Sequence, residues 1–166
     1  MTNYDVIVIG AGPAGATAAA ILADRDINTL LIEKEKLPRQ KICGGAVSKR
    51  ALSLLETADV IIPELKTFKK CQSMQLGTFD FESIEHLATI KFENEAAYLT
   101  DRAEFDYALV QNAISKGAEL KQKLNPKRFI KLLANDNAIA TDYVKIVLGD
   151  STYRQFLKNT FKKMVV

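Results

Sequence analysis

A glycine-rich segment near the start of the chain constrains the fold more than any other feature. Within Val6–Gly15, a run of mostly β-branched apolar residues leads into the pattern Gly-x-Gly-x-x-Gly. The helix-forming stretch Ala16–Leu22 follows without a gap, and a second apolar run, Ile27–Ile32, ends at Glu33. Both runs read as strands buried on two faces of a parallel sheet. Strand, glycine turn, helix, strand and acid in this order predict a dinucleotide-binding unit.

Each part of this unit has a predicted physical role. Gly10 is expected to make the tight turn, and Gly12 to let backbone N–H groups approach a pyrophosphate. Gly15 is expected to let the helix pack closely on the first strand, with the positive end of the helix dipole facing the phosphates. Glu33 is placed to accept hydrogen bonds from an adenosine ribose, which disfavours a 2′-phosphorylated cofactor. The spacing alone leaves FAD and NAD open.

Composition and charge limit the class of protein. With 166 residues, 48% of them hydrophobic, the chain can build one domain with a real core. It contains no apolar run of about 18 residues, so we expect no transmembrane helix, and we expect no signal peptide. Two cysteines form no disulfide framework, which favours the cytoplasm. The segment Lys121–Val166 has ten Lys or Arg and three Asp, a basic tail that could meet a membrane surface or simply be solvated.

Local signals divide the middle of the chain into a loop, a helix and a set of strands. Residues 34–41 are polar and predict a loop. Ser48 is expected to cap a helix that ends near Ala58. Alternating apolar residues between 73 and 100 predict two or three antiparallel strands.

Two further helices are predicted after these strands. Asp101 is expected to cap the first of them in a capping box with Glu104, and Gly117 to end it. The sequence Asp142–Lys145 favours a second helix, which Gly149 would end.

Five short motifs in the first two thirds of the chain support a more specific interpretation. They are Gly10-Ala11-Gly12-Pro13-Ala14-Gly15, Ile32-Glu33-Lys34, Pro38-Arg39, Cys43-Gly44-Gly45-Ala46 before Ser48, and Asp101-Arg102-x-x-Phe105-Asp106. Together they resemble the geranylgeranyl reductase family of flavoproteins, which is similar in fold to para-hydroxybenzoate hydroxylase. The resemblance implies FAD as the cofactor. It also implies that the reduced flavin hydrogenates C=C bonds of isoprenoid chains.

The resemblance further implies roles for individual residues. In the family the Cys-Gly-Gly segment lies beside the flavin and the lipid cavity, which favours Cys43 as a catalytic residue over an inert thiol. The Arg102 guanidinium would hydrogen-bond cofactor oxygens, a solvated helix-start arginine being the alternative. Physics alone leaves the adjacent glycines open between a close approach and a flexible loop. No metal site is predicted, and the predicted cofactor-binding residues are Gly10, Gly12, Pro13, Ala14, Gly15, Glu33, Lys34, Cys43, Gly44, Gly45, Ala46 and Arg102.

After Leu120 the resemblance weakens, as if the middle of the family's chain had been removed. We therefore predict a partial FAD-binding domain over 1–122, which includes the start of a small antiparallel substrate sheet at about 73–100, and a basic helical tail over 123–166. The fold class is α/β: a Rossmann-like βαβ unit of the FAD/NAD(P)-binding type, with a parallel sheet, a small antiparallel sheet and a helical C-terminal tail.

Three functional hypotheses follow. The first is an FAD-dependent oxidoreductase of the geranylgeranyl reductase type, shortened and with impaired catalysis, acting on an isoprenoid or polyprenyl lipid with an external electron donor. The second is a non-catalytic remnant or subunit that binds FAD or NAD and needs a partner chain. The third is a nicotinamide-binding module. No nucleic-acid partner is expected, whereas a homo-oligomer and a peripheral membrane contact of a cytoplasmic protein stay open.

Overall fold

The fold is built from a parallel sheet, two small antiparallel sheets and three helices in the part of the chain that the structure describes. The structure is a computed structural model and describes residues 4–60, 65–79, 82–93, 97–125, 127 and 145–148. The elements in chain order are β1 (Val6–Ile9), α1 (Pro13–Ala23), β2 (Thr29–Ile32), β3 (Ala46–Ser48), α2 (Lys49–Thr57), β4 (Lys69–Cys71), β5 (Ser73–Phe79), β6 (Ile84–Lys91), β7 (Ala97–Leu99), α3 (Arg102–Ser115), β8 (Glu119–Lys121) and β9 (Lys145–Leu148).

The main sheet has the strand order β8-β2-β1-β9, and all of its strand pairs are parallel. Every residue of β1 and β2 is buried, as expected for strands covered on both faces. Val6 lies opposite Thr29 and Ile9 opposite Ile32, so both strands end at the same edge. The glycine turn and Glu33 follow these ends and therefore meet there. The α/β class with a Rossmann-like βαβ unit is confirmed.

Helix α1 lies unusually close to β1 because its inner face carries only small residues. Gly15, Ala16, Ala19 and Ala20 are buried on this face. A Cβ atom added to Gly15 would lie 1.9 Å from the carbonyl oxygen of Gly10, a distance that no side chain can occupy. Gly15 thus has the packing role that the sequence predicts. Helix α1 also packs against α3.

The antiparallel strands form two separate sheets. One has the order β3-β7-β4, and the other is the two-stranded hairpin β5-β6. The hairpin pairs Ser73 with Lys91 and has an irregularity between Leu76 and Gly77. Met74, Leu76, Phe79 and Leu87 on this hairpin are exposed. The predicted antiparallel strands between 73 and 100 are therefore present, although they do not join into one sheet.

The helix caps follow the sequence with one difference. Ser48 accepts a hydrogen bond from the Ala51 N–H and so caps α2 as predicted. Asp101 caps α3 by accepting from the N–H groups of Ala103 (2.7 Å) and Glu104 (3.2 Å). The reciprocal half of the predicted capping box is wrong. The Glu104 carboxylate instead accepts hydrogen bonds from residues 66 and 67 and ties that loop to α3.

The helix predicted to end at Gly149 is wrong where it can be checked. Residues 145–148 form strand β9, whose register places Val6 opposite Lys145 and Ile9 opposite Leu148. The apolar run Ile146–Leu148 completes the main sheet beside β1, so pairing with a buried strand overrides the local helix preference. The rest of the predicted helical tail lies outside the described residues. Within the described residues, no helix is long and apolar enough to cross a membrane.

The close approach of α1 to β1 predicts the effect of one added methyl group. We expect Gly15→Ala to lower the free energy of unfolding by about 3 kcal/mol, because the methyl group has no space against the Gly10 carbonyl. Urea unfolding monitored by circular dichroism measures this change. Gly44→Ala is the control, since a Cβ atom at Gly44 meets no atom within 4 Å. A Gly15→Ala variant as stable as the wild type would show that the helix can move away at little cost.

Candidate dinucleotide-binding site

The glycine turn leaves the beginning of α1 open to a ligand. Gly10 adopts a φ of 99°, and its N–H donates to the Ile32 carbonyl at 2.8 Å. Gly12 occupies the N-cap position without a side-chain cap, and Pro13 begins the helix. The N–H groups of the first helical turn have no intrahelical acceptor, and they carry the positive end of the helix dipole. This turn can therefore hold an anionic phosphate group.

Glu33 lies at the end of β2 directly beside the glycine turn. Its side chain is 4% exposed. One carboxylate oxygen accepts from the Ala11 N–H at 3.0 Å and the other from the Glu35 N–H at 3.1 Å. Each oxygen has a second lone pair, so the carboxylate can still accept hydroxyl groups. Glu33 therefore lies beside the glycine turn, as its predicted role in binding the ribose requires.

Arg39 lies between Glu33 and the glycine turn. Its Nε is 3.5 Å from the Glu33 carboxylate, and its Nη1 is 3.7 Å from the Asp106 carboxylate. A Cβ atom added to Gly12 would lie 3.8 Å from Nη2 of the same guanidinium. The Arg39 side chain is only 15% exposed. A partly buried guanidinium therefore adds a second positive group beside the positive end of the α1 dipole.

Asp106 joins Arg39 to Arg102. Arg102 donates to both Asp106 oxygens, at 2.9 Å from Nε and 3.1 Å from Nη2, which is a bidentate pair across one turn of α3. The Asp106 side chain is 1% exposed. Hydrogen bonding to Asp106 is the main cause that raises the pKa of Arg102. Arg102 is therefore fixed in place by a buried anion and is not a freely solvated side chain.

Cys43 is an exposed thiol at the other side of Arg102. The pKa of Cys43 is lowered, first by a hydrogen bond from the Gly45 backbone N–H and second by one from the Arg102 guanidinium. Both donors stabilise the thiolate over the neutral thiol. The predicted flavin-binding arginine is therefore near enough to the predicted catalytic residue to lower the pKa of its thiol.

The two glycines after Cys43 have different environments. Gly45 is buried, has a φ of 74°, and a Cβ atom there would lie 2.3 Å from the Thr100 carbonyl oxygen. Its carbonyl accepts from the Thr100 N–H at 3.0 Å. Gly44 is exposed and has open space where a Cβ atom would lie. Of the two alternatives left open for this pair, Gly45 makes a close approach, to the residue before the α3 cap, and Gly44 faces solvent.

Most of the predicted site residues form one connected group, which runs from the glycine turn through Glu33 to Cys43. Lys34, Ala14 and Ala46 are exposed at its margin. Sequence reasoning assigned no role to Arg39 or Asp106, which complete the connection. A signal for Asp106 was present, because it follows Phe105 on the apolar stripe of the helix and stands four residues after Arg102. The signal for Arg39 was weaker, since a loop arginine is usually solvated.

Comparison with known proteins agrees with this geometry. The sequence pattern of the FAD binding domain family matches residues 3–146. A digeranylgeranylglycerophospholipid reductase of Methanosarcina mazei is 35% identical over 150 residues, which are 86% of this chain and 32% of that protein. The corresponding reductase of Picrophilus torridus is 35% identical over 122 residues, 71% of this chain and 29% of that one.

Solved structures give the same result. A geranylgeranyl bacteriochlorophyll reductase-like protein from Thermoplasma acidophilum has a TM-score of 0.56 and 30% identity, over 72% of this chain and 30% of that chain. The halogenase PltM in complex with phloroglucinol and FAD has a TM-score of 0.57 and 25% identity, over 76% and 30% of the two chains.

Fold and site together define a Rossmann-type dinucleotide-binding protein. More particularly, the chain belongs to the FAD binding domain family, and its cofactor is FAD. The residues fit the group, because the turn has open N–H donors, no side chain at Gly12 and an acid at the ribose end. The chain spans about 30% of the length of the curated relatives that it matches.

The different environments of the two glycines predict opposite tolerance to a methyl group. We expect Gly45→Ala to destabilise the protein by about 2 kcal/mol, because the positive φ and the Thr100 carbonyl both oppose a Cβ atom. Gly44→Ala should change the stability by less than about 0.5 kcal/mol. Thermal unfolding of the two variants checks the difference. Equal melting temperatures would contradict the described loop.

The contact between Arg102 and Cys43 predicts a change in thiol reactivity. In Arg102→Gln the thiolate loses a charged donor, so the pKa of Cys43 should rise towards its ordinary value. Alkylation by iodoacetamide should then slow near neutral pH and recover at alkaline pH, where the thiol ionises without help. The measurement is the alkylation rate against pH with Cys71 replaced by Ser. An unchanged profile would show that Arg102 does not act on this thiol.

Proposed function

We propose that this chain is the cofactor-binding part of an FAD-dependent reductase of the geranylgeranyl reductase type, which hydrogenates C=C bonds of isoprenoid or polyprenyl lipid chains. The glycine turn and Glu33 together form what we call the dinucleotide cradle. The observation that carries the proposal is that Arg39 and Asp106 connect this cradle to Arg102, which lies near Cys43. The similarity of 86% of the chain to a digeranylgeranylglycerophospholipid reductase supports the same substrate class.

The residues of the cradle would hold the adenosine end of FAD. The N–H groups of Gly12, Ala14 and Gly15 lie at the open start of α1, which Pro13 begins, and the pyrophosphate would bind there. Glu33 would accept the ribose hydroxyl groups, and Lys34 stands next to it at the surface. Bound FAD supplies a carrier of two electrons that can pass hydride to carbon.

The residues at the other end would serve the flavin and the substrate. Arg102 keeps N–H donors beyond the two that Asp106 occupies, and these would meet cofactor oxygens beside Gly44, Gly45 and Ala46. Hydrogenation of a C=C bond also needs one proton. Cys43 would donate it, because a thiol with a lowered pKa releases its proton more readily, and solvent would restore it. An external electron donor would reduce the cofactor again.

A second candidate function is favoured by the exposed hairpin. Strands β5 and β6 carry exposed Met74, Leu76, Phe79 and Leu87, and a two-stranded sheet is only marginally stable by itself. Such a surface suits a subunit that binds the dinucleotide and completes its site with a second chain or a second copy of itself. In that case the isolated chain would hold FAD weakly and show no reductase activity.

We further propose a cytoplasmic location, with the basic segment from Lys121 onward as the part that would meet an anionic membrane surface. The ten Lys or Arg and three Asp of this segment support the contact with an anionic membrane surface. A lipid substrate would be reached most easily from such a surface.

FAD titration tests the proposed cofactor role. We expect a flavin band near roughly 450 nm to remain with the purified protein after gel filtration with FAD. Glu33→Gln should raise the dissociation constant of FAD about tenfold, because the ribose loses a charged acceptor. Glu35→Gln is the matched control, since Glu35 is exposed and its side chain lies outside the cradle. A wild-type protein that neither retains nor is thermally stabilised by FAD would contradict the proposal.

The reductase activity needs its own assay. Protein loaded with FAD and reduced by dithionite should hydrogenate a geranylgeranyl lipid in mixed micelles, followed by mass spectrometry for gains of two hydrogen atoms. Cys43→Ser should slow the reaction while leaving FAD affinity unchanged. Full FAD binding without any reduced lipid would favour the subunit function instead.

A further inference from the structure

The carboxylate of Asp106 is the most completely buried charge in the described part of the site. Its side chain is 1% exposed, although it lies on a helix that faces a loop. Two guanidinium groups contact it: Arg102 from its own helix in a bidentate pair, and Arg39 from the loop after β2 at 3.7 Å. A buried carboxylate needs such partners, because an uncompensated charge in the interior costs several kcal/mol.

The two arginines lead in opposite directions from this carboxylate. Arg39 reaches Glu33 at 3.5 Å and lies over Gly12 at the phosphate end of the cradle. Arg102 lies near the Cys43 thiol at the other end and lowers its pKa. The charged groups that face Asp106 are therefore Arg39 from the loop and Arg102 from α3, with Glu33 and Cys43 one contact further away.

We propose that Asp106 is a positioning residue that orients Arg39 towards the glycine turn and Arg102 towards Cys43, so that one buried carboxylate sets both ends of the cofactor site. The part that concerns Arg39 rests on the proposed function, since it makes Arg39 a ligand of the cofactor pyrophosphate. The part that concerns Arg102 stands on the chain's own residues. Asp106 itself touches neither cofactor nor substrate.

The geometry explains why a carboxylate is needed at this position. Two acceptor oxygens satisfy the fork of Arg102, and their remaining lone pairs and negative charge hold Arg39. An asparagine offers a single acceptor oxygen and turns two N–H donors towards one of the guanidinium groups. In Asp106→Asn, Arg102 therefore loses one half of its bidentate pair and Arg39 loses its negative partner. We expect both arginines to lose their orientation, with almost no change in side-chain volume.

The direction in which the pKa of Cys43 shifts in Asp106→Asn distinguishes positioning of Arg102 from a direct effect of the Asp106 charge. The Asp106 charge by itself raises the pKa of Cys43, so its removal alone would make the thiol react faster near neutral pH. Loss of the Arg102 guanidinium from beside the thiol acts in the opposite direction, and we expect it to dominate, because a hydrogen-bond donor near the sulfur stabilises the thiolate more than the more distant Asp106 carboxylate destabilises it. We therefore expect Asp106→Asn, with Cys71 replaced by Ser, to shift the iodoacetamide alkylation midpoint to higher pH. An unchanged or lowered midpoint would overturn the proposal.

FAD titration measures the other end of the site. Asp106→Asn should raise the dissociation constant of FAD about tenfold, the size expected for one charged hydrogen bond. Asp24→Asn is the matched control, because it removes a carboxylate from a surface ion pair with Lys116 at 3.3 Å, outside this group of side chains. It should change neither the FAD affinity nor the alkylation profile.

Single-arginine variants keep the test decisive if Asp106→Asn unfolds. Arg39→Gln should weaken FAD binding about tenfold while leaving the alkylation profile of Cys43 in place. Arg102→Gln should shift that profile. Identical effects of the two variants on both measurements would contradict the division of roles.

The two proposals fail in different ways. A wild-type protein that binds no FAD, with an alkylation midpoint still shifted in Asp106→Asn, would count against the proposed function and support the positioning role. A wild-type protein that binds FAD, with both measurements unchanged in Asp106→Asn, would overturn the positioning role alone.

Discussion

The contact of α1 with β1 is the constraint on which the rest of the site depends. Gly15 has no side chain, and the helix therefore lies against the Gly10 carbonyl at a distance that no other residue permits. This approach brings the start of α1 next to the end of β2, where Glu33 contacts the Ala11 N–H. The positive end of the α1 dipole and the Glu33 carboxylate therefore lie next to each other. The recognition of a molecule that has both phosphate and ribose groups follows from this single close packing.

Around that turn the protein uses four buried or half-buried charges in alternating sign. Glu33, Arg39, Asp106 and Arg102 form a sequence of contacts in which each carboxylate meets a guanidinium. Their formal charges cancel, so the group can be buried without a net charge. Each arginine still has N–H donors to offer to an anion, whereas Glu33 keeps lone pairs that suit neutral donors such as hydroxyl groups. The arrangement is thus biased towards binding anions even though it is neutral.

The sequence predicts the parts of the fold that depend on local pattern and misses those that depend on distant partners. The βαβ unit, the Ser48 and Asp101 caps and the end of α3 near Gly117 are local signals and are confirmed. The preceding residues predict a helix through 145–148, whereas parallel pairing with β1 makes these residues a strand of the main sheet. Glu104 fits a capping box by spacing, but Thr67 and its neighbour compete for the carboxylate.

The site shows the same division. Glycines and the strand-terminal acid follow a spacing that can be read directly, and the Cys43 and Arg102 motifs were found by resemblance. The sequence predicts no role for Arg39 or Asp106, because their contact joins a loop and a helix that are distant in sequence. Pro38-Arg39 is one of the motifs that carry the resemblance, but the polar residues around Arg39 are otherwise typical of a solvated loop.

The position of β9 has a consequence for how the polypeptide is made. Strand β1 is synthesised well before one of its two neighbours, which contains Lys145 and emerges from the ribosome much later. Until then one side of β1 presents unpaired backbone groups and a wholly apolar sequence. During translation the unpaired edge of β1 can therefore pair with other chains and cause aggregation. A chaperone that covers Val6–Ile9 would raise the yield of folded protein.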